Sequence, residues 1–379
     1  MLGHFFTIPL HRAEPVLEDT VTISVRKAVF TGIAMVGATA ILAGCGSAPE
    51  ATSTKSGSAS SYLPCMVSDA GGFDDKSFNQ LGKEGLDAAA DTLGVTPKAV
   101  ESADQTVYAS NISSLVTQKC KLIITVGFLL ADATKAAAKA NPNVDFATID
   151  DASITADNVQ PITFNTSEAA FLGGYAAAAY SKTGVVGTFG GAQIPTVTIF
   201  MDGFADGVAY YNEQKSKNVK VVGWDVDKQK GVFTGGFEAG TAAKQSAQTL
   251  IDQDADVIMP VGGPIYQSAA QAVKDADKGI VLVGVDSDTY ETDPSNKALF
   301  LTSVEKGIKP ATEAVIESAA KGDFSSTPYV GTLKNDGVGL APFHDYADKI
   351  PSTLEGELKT IKAGIIDGSI TVKSPAASK

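Results

Sequence analysis

Acidic side chains recur in this sequence where short apolar runs end. Asp69 follows Pro64–Ser68, Asp150 follows Asp145–Ile149, and Asp286 and Asp288 follow Ile280–Val285. Carboxylates in such places can hold a cation, fix ligand hydroxyls or exchange protons. The spacing from Asp69 to Asp75 lacks the alternating oxygen ligands of a compact calcium loop. Sugar hydroxyls are the better match, with Lys306 supplying an ammonium after the run Ala298–Thr302. The richest stretch is Asp69-Ala70-Gly71-Gly72-Phe73-Asp74-Asp75-Lys76-Ser77-Phe78-Asn79-Gln80. Asp74 or Asp75, with Ser77, can cap the helix that follows by accepting its unpaired N–H groups. Phe78 is either a core residue or one face of a slot for a planar heterocycle. Next to it, the Asn79 amide both donates and accepts and so can read a purine edge. Trp224, the only tryptophan, ends an apolar run, where core packing and ring stacking on a ligand are equal alternatives. Glycine pairs at Gly71-Gly72, Gly190-Gly191 and Gly262-Gly263 suit close backbone approach to a ligand, or tight strand-to-helix turns.

Other chemistry is excluded. There is no Gly-x-Ser-x-Gly, no phosphate-cradling Gly-x-x-x-x-Gly-Lys-Ser/Thr, no His-Glu-x-x-His and no dinucleotide-binding Gly-x-Gly-x-x-Gly after a strand. The three histidines, His4, His11 and His344, cannot build a His-rich metal site. No catalytic residue, metal or cofactor is therefore expected, and the chain reads as a binder. The formal net charge of −13, from 30 Lys+Arg and 43 Asp+Glu, argues against a phosphate-tracking nucleic-acid surface.

The elements that must carry these residues alternate. Strands are expected at Pro64–Ser68, Lys98–Glu101, Leu122–Val126, Asp145–Ile149, Val185–Phe189, Val219–Trp224, Val257–Pro260, Ile280–Val285 and Ala298–Thr302. Helical patterns lie between them, among them Asn79–Leu93, Ser110–Gln118, Ala131–Ala140, Glu168–Tyr180, Ala239–Ile251 and Tyr266–Ala276. This rhythm predicts parallel sheets covered on both faces. So many strands exceed a comfortable single open sheet, and a seam near Asn165–Glu168 divides the chain into two α/β domains. In open parallel sheets ligands bind beyond the carboxyl ends of the strands, where the acidic residues stand.

The first 44 residues read as an address. Arg26-Lys27 precede the apolar run Ala28–Leu42, which ends in Leu42-Ala43-Gly44-Cys45. That is the layout of a secretory signal, too short for a membrane span. The ending resembles a bacterial lipobox, which implies cleavage before Cys45 and lipidation of its thiol. Residues 1–24 carry Glu14, Glu18 and Asp19, unlike a basic leader, and are read as an over-extended start. A Ser/Thr/Ala/Gly-rich tether reaches residue 61. Cys65 and Cys120 begin neighbouring strands; outside the cytoplasm a disulfide between them is permitted, and two buried free thiols are the alternative.

The motif Asp69-x-Gly-Gly-x-Asp-Asp-Lys-Ser-Phe-Asn-Gln resembles the signature of the basic membrane protein family, lipoproteins that include purine nucleoside receptors of bacterial ABC transporters. Gly203-Phe204-x-x-Gly207, Ala255-Asp256-Val257-Ile258-Met259-Pro260-Val261-Gly262-Gly263, Val283-Gly284-Val285-Asp286-Ser287-Asp288 and Thr302-Ser303-Val304-x-Lys306 follow in the family's order. The resemblance spans about residues 62–345, and Asn335-Asp336-Gly337-Val338-Gly339-Leu340 is similar to actinobacterial members. It implies a type I periplasmic-binding-protein fold, two Rossmann-like lobes joined by three crossovers. The segments implied are 62–166 with about 287–322 for the first lobe and 167–286 with about 323–345 for the second. A C-terminal helical segment and tail, 346–379, would follow. By the same resemblance Asn79 and Asp150 read the base with Phe78 against its face, while Gly262, Gly263, Asp286 and Lys306 hold the ribose. Asp69 and Phe204 join the ligand set. The second stacking ring is open among Trp224, Phe233 and Phe237, with Trp224 preferred at its strand end. The implied partners are a purine nucleoside, ABC permease subunits and, through the lipid, the membrane, with the protein itself a monomer. A pentose or hexose receptor of the same fold is the nearest alternative, and a secreted nucleoside hydrolase a more distant one.

Overall fold

A computed structural model describes residues 62–377; the leader, the Cys45 lipidation site and the tether lie outside the described residues. The first half runs β1 (Pro64–Ser68), α1 (Phe78–Leu93), β2 (Lys98–Val100), α2 (Tyr108–Thr117), β3 (Leu122–Val126), α3 (Ala131–Ala140), β4 (Asp145–Ile149) and β5 (Val159–Phe164). The second half opens with α4 (Thr166–Tyr180), β6 (Val185–Gly190), α5 (Pro195–Lys215), β7 (Lys220–Val222), β8 (Trp224–Asp225) and β9 (Lys230–Gly231). It continues with α6 (Thr241–Ile251), β10 (Val257–Val261), α7 (Ile265–Ala276), β11 (Val281–Asp286), α8 (Thr289–Thr292) and β12 (Phe300–Lys306). Last come α9 (Ile308–Ala320), β13 (Tyr329–Gly331), β14 (Val338–Leu340) and α10 (Leu354–Asp367).

The strands form two six-stranded sheets of matching design, in the orders β13-β5-β4-β3-β1-β2 and β14-β12-β11-β10-β6-β7. Within these two sheets every pairing is parallel except that of β14 with β12, and β8 and β9 form a separate antiparallel pair. Leu122-Ile123-Ile124-Thr125-Val126 is buried along its whole length because helices cover both faces of its sheet. The chain passes between the sheets three times: after Phe164, after Lys306, and between Gly331 and Val338. Two Rossmann-like lobes with three crossings make this the type I periplasmic-binding-protein arrangement.

Sheet membership differs from the sequence expectation in two segments. Phe300–Lys306 pairs with β11 and so lies in the second sheet, not the first. Tyr329–Gly331 pairs with β5 in the first sheet, not the second. A three-residue strand has no readable periodicity, and only its hydrogen-bonded partner assigns it to a lobe. Val219–Trp224, read as one strand, is broken at Gly223, whose φ of +86° turns the chain into the β8–β9 hairpin.

Helices α4 and α5 pack backbone against backbone. A Cβ on Gly174 would stand 2.0 Å from the Phe204 carbonyl oxygen, and one on Gly207 would stand 2.0 Å from that of Phe171. The Gly203-Phe204-x-x-Gly207 motif is thus a helix-packing device, and Phe204, fully buried, belongs to the core. Cys65 and Cys120 form a disulfide, with Cα atoms 5.9 Å apart, in the small core of the first lobe.

Candidate functional site

Strand ends from both lobes converge on a narrow cleft with a cavity of about 60 Å³. The first lobe contributes Asp69 after β1, Asp75, Phe78 and Asn79 at the start of α1, Gly127 and Phe128 after β3, and Asp150 after β4. The second lobe contributes Thr196, Val197 and Phe200 from α5, Gly262 and Gly263 after β10, and Asp286 and Lys306 at the ends of β11 and β12. Phe237, from the loop between β9 and α6, completes the apolar wall.

Of the residues expected at the ligand, Asp69, Phe78, Asn79, Asp150, Gly262, Gly263, Asp286 and Lys306 all line this cavity. Phe204 and Trp224 do not. Trp224 is buried beside Phe233, ring centroids 5.9 Å apart, and its indole Nε1 donates to Asp202 Oδ1 at 2.9 Å. Its slot at the cavity is filled by Phe237, the third of the three candidate rings. The glycines explain how. A Cβ on Gly191 would come within 2.5 Å of the Phe237 ring, and one on Gly262 within 2.9 Å. Gly190 makes the same room for Phe233. These glycine pairs therefore seat aromatic rings of the loop, a third role beside the two expected. Phe128 and Phe200 were not singled out from sequence, although Gly127-Phe128 stands at a strand end and Pro195 marks the first turn of α5.

The motif loop is organised around two carboxylates. Asp75, almost fully buried, accepts from the backbone N–H groups of Ser77 (2.9 Å), Asn79 (2.9 Å) and Gln80 (3.1 Å), and so caps α1. Asp74 is exposed and pairs with Lys76. The Ser77 hydroxyl faces the other lobe, 3.1 Å from Asp286 Oδ2 and from the Val285 carbonyl oxygen. Asp69 Oδ1 accepts from Asn79 Nδ2 at 2.8 Å and from the Gly71 N–H at 3.2 Å. Asn79 Nδ2 also reaches Asp75 Oδ2 at 3.3 Å, which commits the amide nitrogen to the protein. Its Oδ1 is buried and without a hydrogen-bond partner at the cavity wall.

Lys306 is buried between carboxylates of the two lobes, with Nζ 2.5 Å from Asp150 Oδ2 and 3.4 Å from Asp286 Oδ1. The ammonium also lies 5.0 Å from the ring centroids of both Phe78 and Phe200. Burial works against its charge, but Asp150 and Asp286 outweigh burial and hold it above the ordinary lysine value. Burial likewise raises Asp150, with Lys306 pulling the other way. Asp69 is pushed up to about 6 by burial, its hydrogen bonds from Asn79 and Gly71 opposing. Burial also raises Asp75 against the three N–H groups that it caps. Asp150 and Asp286 both adopt left-handed backbone conformations, φ 63° and 68°. Aspartate tolerates that region better than most residues, and such conformations cluster where function over-determines the backbone.

Among the described residues no cluster of His, Cys, Asp and Glu could hold a metal ion, and no helix is long and apolar enough to cross a membrane. The arrangement presents flat rings, fixed acceptors and a lysine paired with two carboxylates, and can enclose a ligand.

Comparison with known proteins agrees. The profile of the Bmp family, described as ABC transporter substrate-binding protein PnrA-like, matches residues 63–374. The chain is similar to the ABC transporter nucleoside-binding protein BmpA of Lactococcus lactis subsp. cremoris, 31% identical over 353 residues, 88% of this chain and 95% of the relative. It is 29% identical over 308 residues to basic membrane protein A1 of Borrelia garinii subsp. bavariensis, 80% of this chain and 86% of that protein. Among solved structures, an ABC transporter solute-binding protein from Aeropyrum pernix K1 superposes with a TM-score of 0.74 at 25% identity, covering 83% of this chain and 94% of that one. A solute-binding protein from Conexibacter woesei shares the fold, with a TM-score of 0.64 at 20% identity over 84% of this chain and 100% of that one. With its two lobes, enclosed cleft and profile match over nearly the whole folded region, the chain belongs to the Bmp family of ABC transporter substrate-binding proteins, and is a binding protein and not an enzyme.

Proposed function

We propose that this protein captures purine nucleosides between its lobes and presents the closed, loaded form to an ABC permease, held at the outer face of the membrane by a lipid on Cys45. The observation that carries the ligand reading is Asn79. Its amide nitrogen is spent on Asp69 and Asp75, while its Oδ1, buried in a residue that lines the cavity, has no partner. An unmet buried acceptor costs about 1–3 kcal/mol, and a purine N–H placed there removes that cost. Phe78, Phe128, Phe200 and Phe237 supply ring faces for the base, each stacked face contributing about 1–3 kcal/mol. Asp286 and Lys306 are suited to ribose hydroxyls, since Asp286 Oδ1 has only its 3.4 Å ion pair with Lys306 within the protein. Asp150, set against the base by the family resemblance, is paired with Lys306 and is assigned here to the ribose side instead. The similarity to the nucleoside-binding protein of Lactococcus lactis supports the same ligand class. Membership of the family supports delivery to a permease, and the Leu42-Ala43-Gly44-Cys45 ending supports anchoring.

Calorimetric titration with adenosine, guanosine, inosine and free ribose tests the ligand. Saturable binding of nucleosides, with ribose at least a hundredfold weaker, is expected. Ribose bound as tightly as the nucleosides would move the assignment to a sugar receptor, and release of free base would make the protein a hydrolase.

A further inference from the structure

A second cavity, of about 240 Å³, adjoins the first. The two share Phe128, Asp150, Thr196 and Lys306 in their walls, so the junction falls at the Lys306–Asp150 pair that the proposed function assigns to the sugar side. Beyond that junction the wall is made by Asp151, Ser153, Thr163 and Thr166, with Ile199 of α5 and Ala376 of the C-terminal tail. The tail is fixed there by the Ser374 hydroxyl, which donates to the buried Asp202 at 2.6 Å, and by the Lys373 N–H, which donates to Asp206 at 2.9 Å.

Two residues of this wall carry a buried polar atom that is unmatched. Asp151 is 3% exposed; its Oδ1 accepts the Ser153 N–H at 3.0 Å, but its Oδ2 has no partner. Thr166 is completely buried, and its hydroxyl has no partner either. A carboxylate oxygen can only accept, whereas a hydroxyl can both donate and accept. A hydroxyl suits either need, since it can donate to Asp151 or accept from Thr166. An anion is the wrong occupant. Asp150 and Asp151 both line the space, and the only cation in its wall, Lys306, is already matched by two carboxylates.

We propose that this compartment is a second subsite, which takes a neutral hydroxyl-bearing substituent carried on the sugar side of the ligand. The inference rests on the nucleoside reading of the first cavity. On a nucleoside, the exocyclic 5′ carbon is the point where an extension leaves the ring hydroxyls free. The receptor would then accept 5′-extended nucleosides as well as simple ones, and would reject 5′-phosphates.

Two nucleosides that differ by one group provide the test: 5′-deoxy-5′-(2-hydroxyethylthio)adenosine and its propylthio analogue, in which a methyl replaces the hydroxyl. Calorimetry on the wild-type protein should show the hydroxyl compound binding at least as tightly as adenosine and about tenfold more tightly than the propyl compound. In Thr166→Val and in Asp151→Asn that preference should shrink severalfold, and adenosine 5′-monophosphate should bind at least a hundredfold more weakly than adenosine. The subsite is refuted, and the nucleoside reading kept, if adenosine binds but both extended compounds bind more than tenfold more weakly. An undiminished hydroxyl preference in both variants also refutes it, as does a monophosphate bound like adenosine. Failure of adenosine itself to bind refutes both readings.

Discussion

Asp286 offers the sharpest test of how the cleft holds its ligand. One of its oxygens accepts from Ser77 across the cleft at 3.1 Å, and the other lies 3.4 Å from Lys306 with no hydrogen bond of its own. A ligand hydroxyl donating to that second oxygen makes a hydrogen bond to a charged group, worth about 1.5–3 kcal/mol net. Asp286→Ala removes it, so affinity for adenosine or guanosine should fall about 10- to 150-fold at about 1.4 kcal/mol per decade. Asp286→Asn keeps a neutral acceptor worth about 0.5–1.5 kcal/mol and should fall only about 5- to 10-fold. The backbone separates binding from folding. At φ 68° asparagine is tolerated, whereas alanine costs roughly 1–2 kcal/mol. The Ala variant should therefore melt lower than wild type and the Asn variant close to it. Calorimetry on protein whose fold is verified by circular dichroism reads the affinities. An alanine variant within threefold of wild type, or an asparagine variant weaker than the alanine one, would refute the assignment of this oxygen to the ligand.

Phe237→Ala should weaken nucleoside binding by about 1–3 kcal/mol with little change for free ribose. Trp224→Phe should lower the melting temperature by losing the Asp202 hydrogen bond and leave affinity unchanged, as calorimetry and thermal melting would show. Replacing both Cys65 and Cys120 by alanine opens a loop of 55 residues and should cost about 4 kcal/mol in urea unfolding, on the chain-entropy account of disulfides. Asp69 protonates near pH 6 in the folded protein, above the usual unfolded aspartate value of about 3.9. The folded state therefore binds more protons between those values, and this group's contribution is fully present below about pH 4 and lost as pH rises through about 6. Asp69→Asn should flatten that part of the stability–pH curve in denaturant titrations. An unchanged slope would show that other buried carboxylates carry it.

Much of the site was legible because βα alternation places the carboxyl ends of strands at one edge. Any polar residue just past an apolar run, such as Asp69, Asp150 or Asp286, then becomes a candidate without knowledge of its neighbours. The motif around Asn79 added the ligand class through its resemblance to a family. Helix capping was foreseen in kind, and the structure chose Asp75 over Asp74 by burying one and leaving the other in solvent.

Local pattern determined most of the strands and helices, though not β5, together with the glycine positions and the list of polar residues at the cleft, because these depend on neighbours a few positions away along the chain. Tertiary structure alone decided the rest. Lys306 meets Asp150 across 156 positions of sequence, and no periodicity encodes so distant a pairing. Trp224, Phe233 and Phe237 are equally apolar, so only the space left above Gly191 and Gly262 could select Phe237 for the cavity. Gly203 and Gly207 looked like part of a ligand motif until the close approach of α4 showed that they admit a neighbouring backbone. Strands of three residues carry too little apolar pattern to declare a sheet, and their hydrogen-bond partners, brought near by the three crossings, gave β13 and β14 their places.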